Sequence, residues 1–173
     1  MTLRDFLADS SMQQLTKQLF IESFCKILKL GARKTSLYDH NACFALCDFV
    51  EELIPILPPY CRTNDLPDPL DWDFWLDVCL EMLKSNNSLT EVRTFAFIFT
   101  GWVEINHDIR RKERLCLDML LSTALFTQYF NHWSPMVRGY YHRLICWRLA
   151  RHDGTQQSEL DTYVFYGVTL RFS

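Results

Sequence analysis

A chain of 173 residues with 49% hydrophobic and 14% aromatic content can bury one sizeable core and is too short for two domains of ordinary size. Charged residues at 23%, with a proline cluster as the only low-complexity feature, exclude wholesale disorder. A formal net charge of −3 argues against a global electrostatic fit to nucleic acid or to an anionic membrane, and no nucleic-acid partner is expected.

The N-terminal MTLRDFLADSS lacks the apolar run of a signal peptide. From Met12 to Leu30, Phe20, Phe24, Ile27 and Leu28 repeat at helical spacing while Lys17, Lys26 and Lys29 face elsewhere, and Gly31 is a natural stop. A second helix from His40 places Cys43, Leu46, Cys47, Val50, Leu53 and Ile54 on one face, until Pro55 ends or kinks it. Residues 55–70 hold five of the six prolines and read as an extended connector that cannot propagate a helix. Asp71 then caps a helix with the stripe Trp72, Trp75, Leu76, Cys79, Met82 and Leu83.

Ser88, with Glu91 three residues on, has the spacing of a capping box, followed by Val92, Phe95, Phe99, Trp102 and Val103. Asp108 opens a helix through Leu121, a short one spans Leu125 to Phe130, and Ser134-Pro135 starts another. That last helix has apolar residues at nearly every angle, which predicts a central position. Past Gly154 the residues Val164, Tyr166, Val168, Leu170 and Phe172 alternate with period two, which suits a strand only if a partner strand exists, and none is found.

About seven helices with short connections predict an all-α fold, either an irregular helical bundle or a short armadillo/HEAT-like solenoid segment. Residues 1–153 form a single helical domain with the Pro-rich connector at 55–70. Residues 154–173 are an atypical tail, either disordered or a truncation scar.

Seven cysteines, an odd number set mostly in apolar stretches, fit a reducing, cytoplasmic compartment. No segment approaches the roughly 18 apolar residues of a bilayer span, which leaves a soluble chain or one peripheral to a membrane.

Candidate chemistry competes throughout with ordinary packing. His40, Cys43 and Cys47 share a helix face and could offer three zinc ligands, but a fourth is missing and both cysteines lie on the apolar stripe. His40, His107 and the adjacent Asp108, with Asp118 or Asp153 downstream, resemble the ligand pattern of helical metal-dependent phosphohydrolases; chance explains a pattern this loose. The carboxylates Asp65, Asp68, Asp71, Asp73 and Asp77 lack the glycine-centred loop of an EF-hand. No metal, cofactor or catalytic set is therefore assigned. Arg138, Arg143, Arg148 and Arg151 fall in a stretch with no acid between Asp118 and Asp153, and Arg110, Arg111, Lys112 and Arg114 form a second cluster. The first set is the candidate contact for an acidic protein partner or anionic lipid headgroups.

Two stretches carry a resemblance. LKSNNSLTEVRTFAFIFTGW at 83–102 and FNHWSPMVRGYYHRLICWRLAR at 130–151 resemble the signature blocks of a fungal domain-of-unknown-function family, numbered seventeen sixty-five. The resemblance implies part of a large, helix-rich fungal protein with no assigned enzymatic activity, some members of which carry a membrane label. Phe130, Trp133, Tyr140, Tyr141 and Trp147 of the second block are expected to form the packing centre. The function expected is a non-catalytic scaffold or interaction module.

Overall fold

The structure, a computed structural model, describes residues 2–150 and 159–172. Thr2 opens α1 (Leu3–Ala8) with a capping box to Asp5. Helix α2 (Gln14–Lys34) passes through Gly31 without stopping and ends three residues later, because glycine inside a helix costs only about 1 kcal/mol and Ala32, Arg33 and Lys34 after it are all helix-compatible. Lys17, expected outside, turns inward, and its ammonium donates to the Leu7 carbonyl at 2.7 Å, satisfying an orphan acceptor at the end of α1.

Asp39 caps α3 (His40–Leu53). The proline segment corrects the expected extended connector: α4 (Leu57–Thr63) forms inside it. Pro58 and Pro59 sit in its first turn, where the missing amides have no intrahelical partner to lose. Asp71 caps α5 (Trp72–Leu83) as expected, accepting from the Phe74 amide at 3.2 Å. Asn86, at φ 52°, turns the chain into α6 (Ser88–Thr100). Asn87, not Ser88, is the cap, accepting from the amides of Leu89 and Thr90. That single-residue shift puts Glu91 at the fourth helical position, too far along to close a capping box, and its side chain goes into the core instead.

Gly101 separates α6 from a single turn, α7 (Trp102–Ile105). Asp108 caps α8 (Ile109–Glu113), which runs on into π-helical turns over Arg114–Leu120. Next come α9 (Thr123–Phe130) and α10 (Pro135–Leu144), the latter again extended by π-helical turns over Ile145–Leu149. The amides of Leu121 and Ala150 reach back five residues to Cys116 and Ile145, both at 2.9 Å, the wide repeat that defines such turns.

Helix α11 (Glu159–Phe172) replaces the strand reading of the tail. Val164 and Val168, four apart, are buried while Tyr163, Tyr166 and Leu170 are exposed, so the burial has helical period and α11 packs on both π-helical segments. The beginning of the 154–173 tail lies outside the described residues.

The fold is all-α, with no strand among the described residues. Its centre is α6, which packs against α3, α5, α7 and α10 and buries Thr90, Glu91, Arg93, Thr94, Phe95, Phe97 and Ile98. A helix enclosed by sequence-distant neighbours makes an irregular bundle; in a solenoid each pair would touch only the next. This corrects the expectation that the helix after Pro135 is central. Helix α10 buries Val137, Tyr141 and Leu144 but leaves Met136 half-exposed and Trp147, in its π-helical extension, mostly outside. Tryptophan and tyrosine count as apolar in a periodicity reading, yet their polar edges let them face water.

Candidate functional site

Helix α6 and the turn before α10 bring together a buried polar group that the capping-box reading had placed outside. Glu91 is 1% exposed, Tyr129 0% and His132 8%. The Tyr129 hydroxyl donates to the Leu83 carbonyl at 2.6 Å, at the end of α5, and lies 3.2 Å from Glu91 Oε1. A phenol has one proton to give. Once the carbonyl, which can only accept, has taken it, the geometry suits a protonated Glu91 donating to the phenol oxygen. Burial pushes the Glu91 carboxyl up from its ordinary range, outweighing the opposite pulls of His132 and the Tyr129 hydroxyl, and burial together with Glu91 pushes the Tyr129 phenol up as well.

His132 completes the group. The Ser134 amide donates to its Nδ1 at 3.2 Å, so in the neutral ring the proton sits on Nε2, which approaches Glu91 Oε2 at 3.6 Å. Phe95 meets Tyr129 edge-on with ring centres 4.9 Å apart and Tyr141 at 5.5 Å. The Tyr141 hydroxyl donates to the Leu120 carbonyl at 2.6 Å. The described cavities are lined by other residues. This arrangement fastens helix ends to the core. The signal that could have found it was in the spacing, since Glu91 stands four residues before Phe95 on the same stripe.

The candidate arginines divide. Arg138 donates to the His132 carbonyl at 2.9 Å. Arg148 donates to the Phe99 carbonyl at 2.9 Å and lies 4.2 Å from the centre of the Phe99 ring. Arg143 is exposed, 5.7 Å from the centre of the Tyr140 ring, and Arg151 lies outside the described residues. The second basic cluster answers the acidic one: Arg111 pairs with Asp68 at 2.8 Å, and Arg114 with Asp73 and Asp77. Asp71 pairs with Lys29 at 2.7 Å, and the Lys29 hydrogen bond holds the Asp71 carboxyl below its usual range. These acids are thus held in ion pairs that tie α5 and the residues just before it to α2 and to the α8 segment.

The metal patterns do not assemble. Among the described residues no group of three or more His, Cys, Asp or Glu side chains could hold a metal ion. Asp108 is used as a cap, accepting from the amides of Arg110 and Arg111. Cys43 and Cys47 are core residues, and burial pushes the Cys47 thiol up to about 12.

What the surface does present is apolar. Between α1, α2 and α3 lies a groove of about 620 Å³ lined by Leu3, Phe6, Phe20, Phe24, Phe49 and Ile56, with Arg4 and Glu52 beside them. Through Phe24 and Phe49 it continues into a second hollow of about 580 Å³ beside Ile27, Leu28, Ala42, Ala45 and Leu46. Ile27 is 67% exposed and Phe49 43%. A second surface lies on α10, where Trp133 and Trp147 are exposed although both were expected in the packing centre; Phe95, Tyr129 and Tyr141 occupy that centre.

A family model described as "Protein of unknown function (DUF1765)" matches residues 24–149. The Schizosaccharomyces pombe protein named UPF0592 membrane protein C7D4.03c is 33% identical over 166 residues, which is 95% of this chain and 17% of the yeast protein. The chain thus spans about a sixth of that relative's length. No solved structure matches. Nothing in these similarities points to a catalytic activity. Both stretches that carried the resemblance, 83–102 and 130–151, lie largely within the match, and the structure packs them on each other through Phe95–Tyr141, Glu91–His132 and Arg148–Phe99.

Proposed function

We propose, since the chain belongs to the DUF1765 family of proteins of unknown function, that it is a non-catalytic helical interaction module which holds a protein partner. The carrying observation is the open groove between α1, α2 and α3. Its lining is apolar apart from Thr2, Arg4 and Glu52, and with the adjoining hollow it follows α2 from Phe20 to Gly31. That is about 16 Å, three helical turns, a length that suits one side of an amphipathic helix laid into it. The partner in this reading is such a helix. In a protein of the yeast relative's length, helices from the same polypeptide are available to fill it.

The yeast relative's name contains the word membrane, and no helix among the described residues is long and apolar enough to cross one. Attachment at a membrane surface, on the cytoplasmic side, accommodates both.

Capture from cell extract with the wild-type chain and with an Ile27→Asp, Phe49→Asp variant, compared quantitatively, tests the groove. Both side chains are exposed, so the variant should fold. Specific partners lost from the variant and retained by an Arg143→Gln control are expected; identical recovery by both would overturn the reading. Stoichiometric transition metal in purified protein would count for a metalloenzyme instead.

A further inference from the structure

Helix α10 and its π-helical extension turn an aromatic and cationic side outward. Met136, Tyr140, Arg143 and Trp147 recur every three or four residues, which places them along one side, and Trp133 stands just before the first turn. Trp133 is 79% exposed, Trp147 64% and Met136 50%. The opposite side is sealed: Val137, Tyr141, Leu144 and Ile145 are each 0% exposed. The helix is therefore firmly seated, and its outward tryptophans are a property of the seated helix. Tryptophan is on average highly buried; here two stand in water, one before the first turn and one in the π-helical extension.

The charge along this stretch of the chain has one sign. No Asp or Glu occurs from Met119 to His152, while four arginines do. Arg138 and Arg148 bond to backbone carbonyls, which are neutral and leave the positive charge uncompensated. Of the acids on other elements, Glu104 is engaged by Arg62, Asp73 and Asp77 by Arg114, and Glu91 is buried beside His132. A complementary surface must be anionic.

Shape separates the two anionic candidates. Partner proteins gain affinity by enclosing aromatic anchors in well-packed pockets, and an acidic protein segment would need a groove to lie in; none of the described hollows is lined by a residue of α10. A single convex helix side with tryptophan at both ends, tyrosine and methionine between, and arginine among them matches what rests in the interface of a bilayer. There amphipathic rings sit at headgroup level and cations meet lipid phosphates. We infer that the outward side of α10, from Trp133 to Trp147, is a contact site for an anionic lipid bilayer surface. This deepens the reading of the chain as an interaction module and rests on it.

The test is flotation of the full chain with vesicles of phosphatidylcholine containing one-third phosphatidylserine, against pure phosphatidylcholine, at about 0.15 M salt. Expected are binding to the anionic vesicles alone and a loss of about tenfold or more in affinity for Trp133→Ser with Trp147→Ser. Arg143→Gln should weaken binding about fivefold, and Ile27→Asp with Phe49→Asp should leave it unchanged. Unaltered helical circular dichroism and urea midpoints verify that these surface variants fold. Equal binding to both vesicle types overturns the inference, as does indifference to the tryptophan pair. Binding to a poly-glutamate peptide but to no vesicle assigns the surface to an acidic protein and also overturns it. Failure on vesicles with groove-dependent capture intact removes this inference alone; loss of both removes the module reading as well.

Discussion

Replacing Tyr129 by phenylalanine isolates the chemistry of the buried polar group, because the ring and its contact with Phe95 stay while one hydroxyl leaves. In the native core that hydroxyl serves the Leu83 carbonyl, a last-turn acceptor of α5, and the Glu91 carboxyl. Both are buried, and neither can reach water without moving a helix. A buried polar group left without a partner costs about 1–3 kcal/mol, so the two together put the loss at about 2–4 kcal/mol. For a domain of this size that corresponds to a fall in melting temperature of about 5–12 °C. Urea denaturation should show a lower midpoint with an unchanged slope, since the surface exposed on unfolding is the same. Tyr141→Phe, which removes a 2.6 Å bond to the Leu120 carbonyl, should lose about 1–2 kcal/mol. A Tyr129→Phe protein within about 0.5 kcal/mol of wild type would refute the reasoning, because such a small change is what a hydroxyl facing solvent gives.

Three further outcomes follow from the same geometry. Glu91 has a raised folded pKa caused mainly by burial, so its contribution to stability is full below the unfolded value of about 4.3 and is lost as pH rises through the folded value. Glu91→Gln stays neutral, and its stability relative to wild type should therefore climb as pH rises above about 4; an opposite slope in urea titrations would mean an ionised Glu91 paired with a charged His132. Arg93, 8% exposed, joins α6 to α3 through Asp48 at 2.6 Å and Glu51 at 2.8 Å. Because Asp48 is 67% exposed and can hydrate, Arg93→Met should cost only about 1–2 kcal/mol rather than the 3–5 of a fully enclosed pair, measured by chemical denaturation. Finally, six cysteines are buried and Cys146 is exposed, and burial pushes Cys25 and Cys61 up to about 11. An aromatic disulfide reagent should consume one thiol quickly in native protein and the rest only on unfolding; two or more fast thiols would contradict the packing.

The seven helices read from periodicity all form, because their stripes of leucine, phenylalanine and cysteine face a real core. What escaped that reading has physical causes. Helix α4 was hidden by prolines that do no harm in a first turn, and α1 is too short to show a period. Alternation misled at α11, since Val164 and Val168 fit a repeat of two as well as a repeat of four. Surface and core exchanged places wherever a side chain is amphipathic: Trp133 and Trp147 went out, while Lys17 and Glu91 went in. Spacing hinted at the burial of Glu91 alone; its partners Tyr129, on α9, and His132, in the turn after it, are brought near only by folding. The groove was half-legible, as Phe20, Phe24 and Ile27 were seen as an apolar stripe, but periodicity does not say whether a stripe is covered.

The π-helical turns at Arg114–Leu120 and Ile145–Leu149 act as indexing steps. Each holds about one residue more than a straight α-helix of the same rise would need, and each advances whatever follows by roughly 100° around its axis. Deleting one residue from the second, ahead of Trp147, would restore a regular ladder yet turn the Trp147 ring away from the outer side. Spacing by a single amino acid, rather than any one side chain, thus decides which way the end of this polypeptide faces.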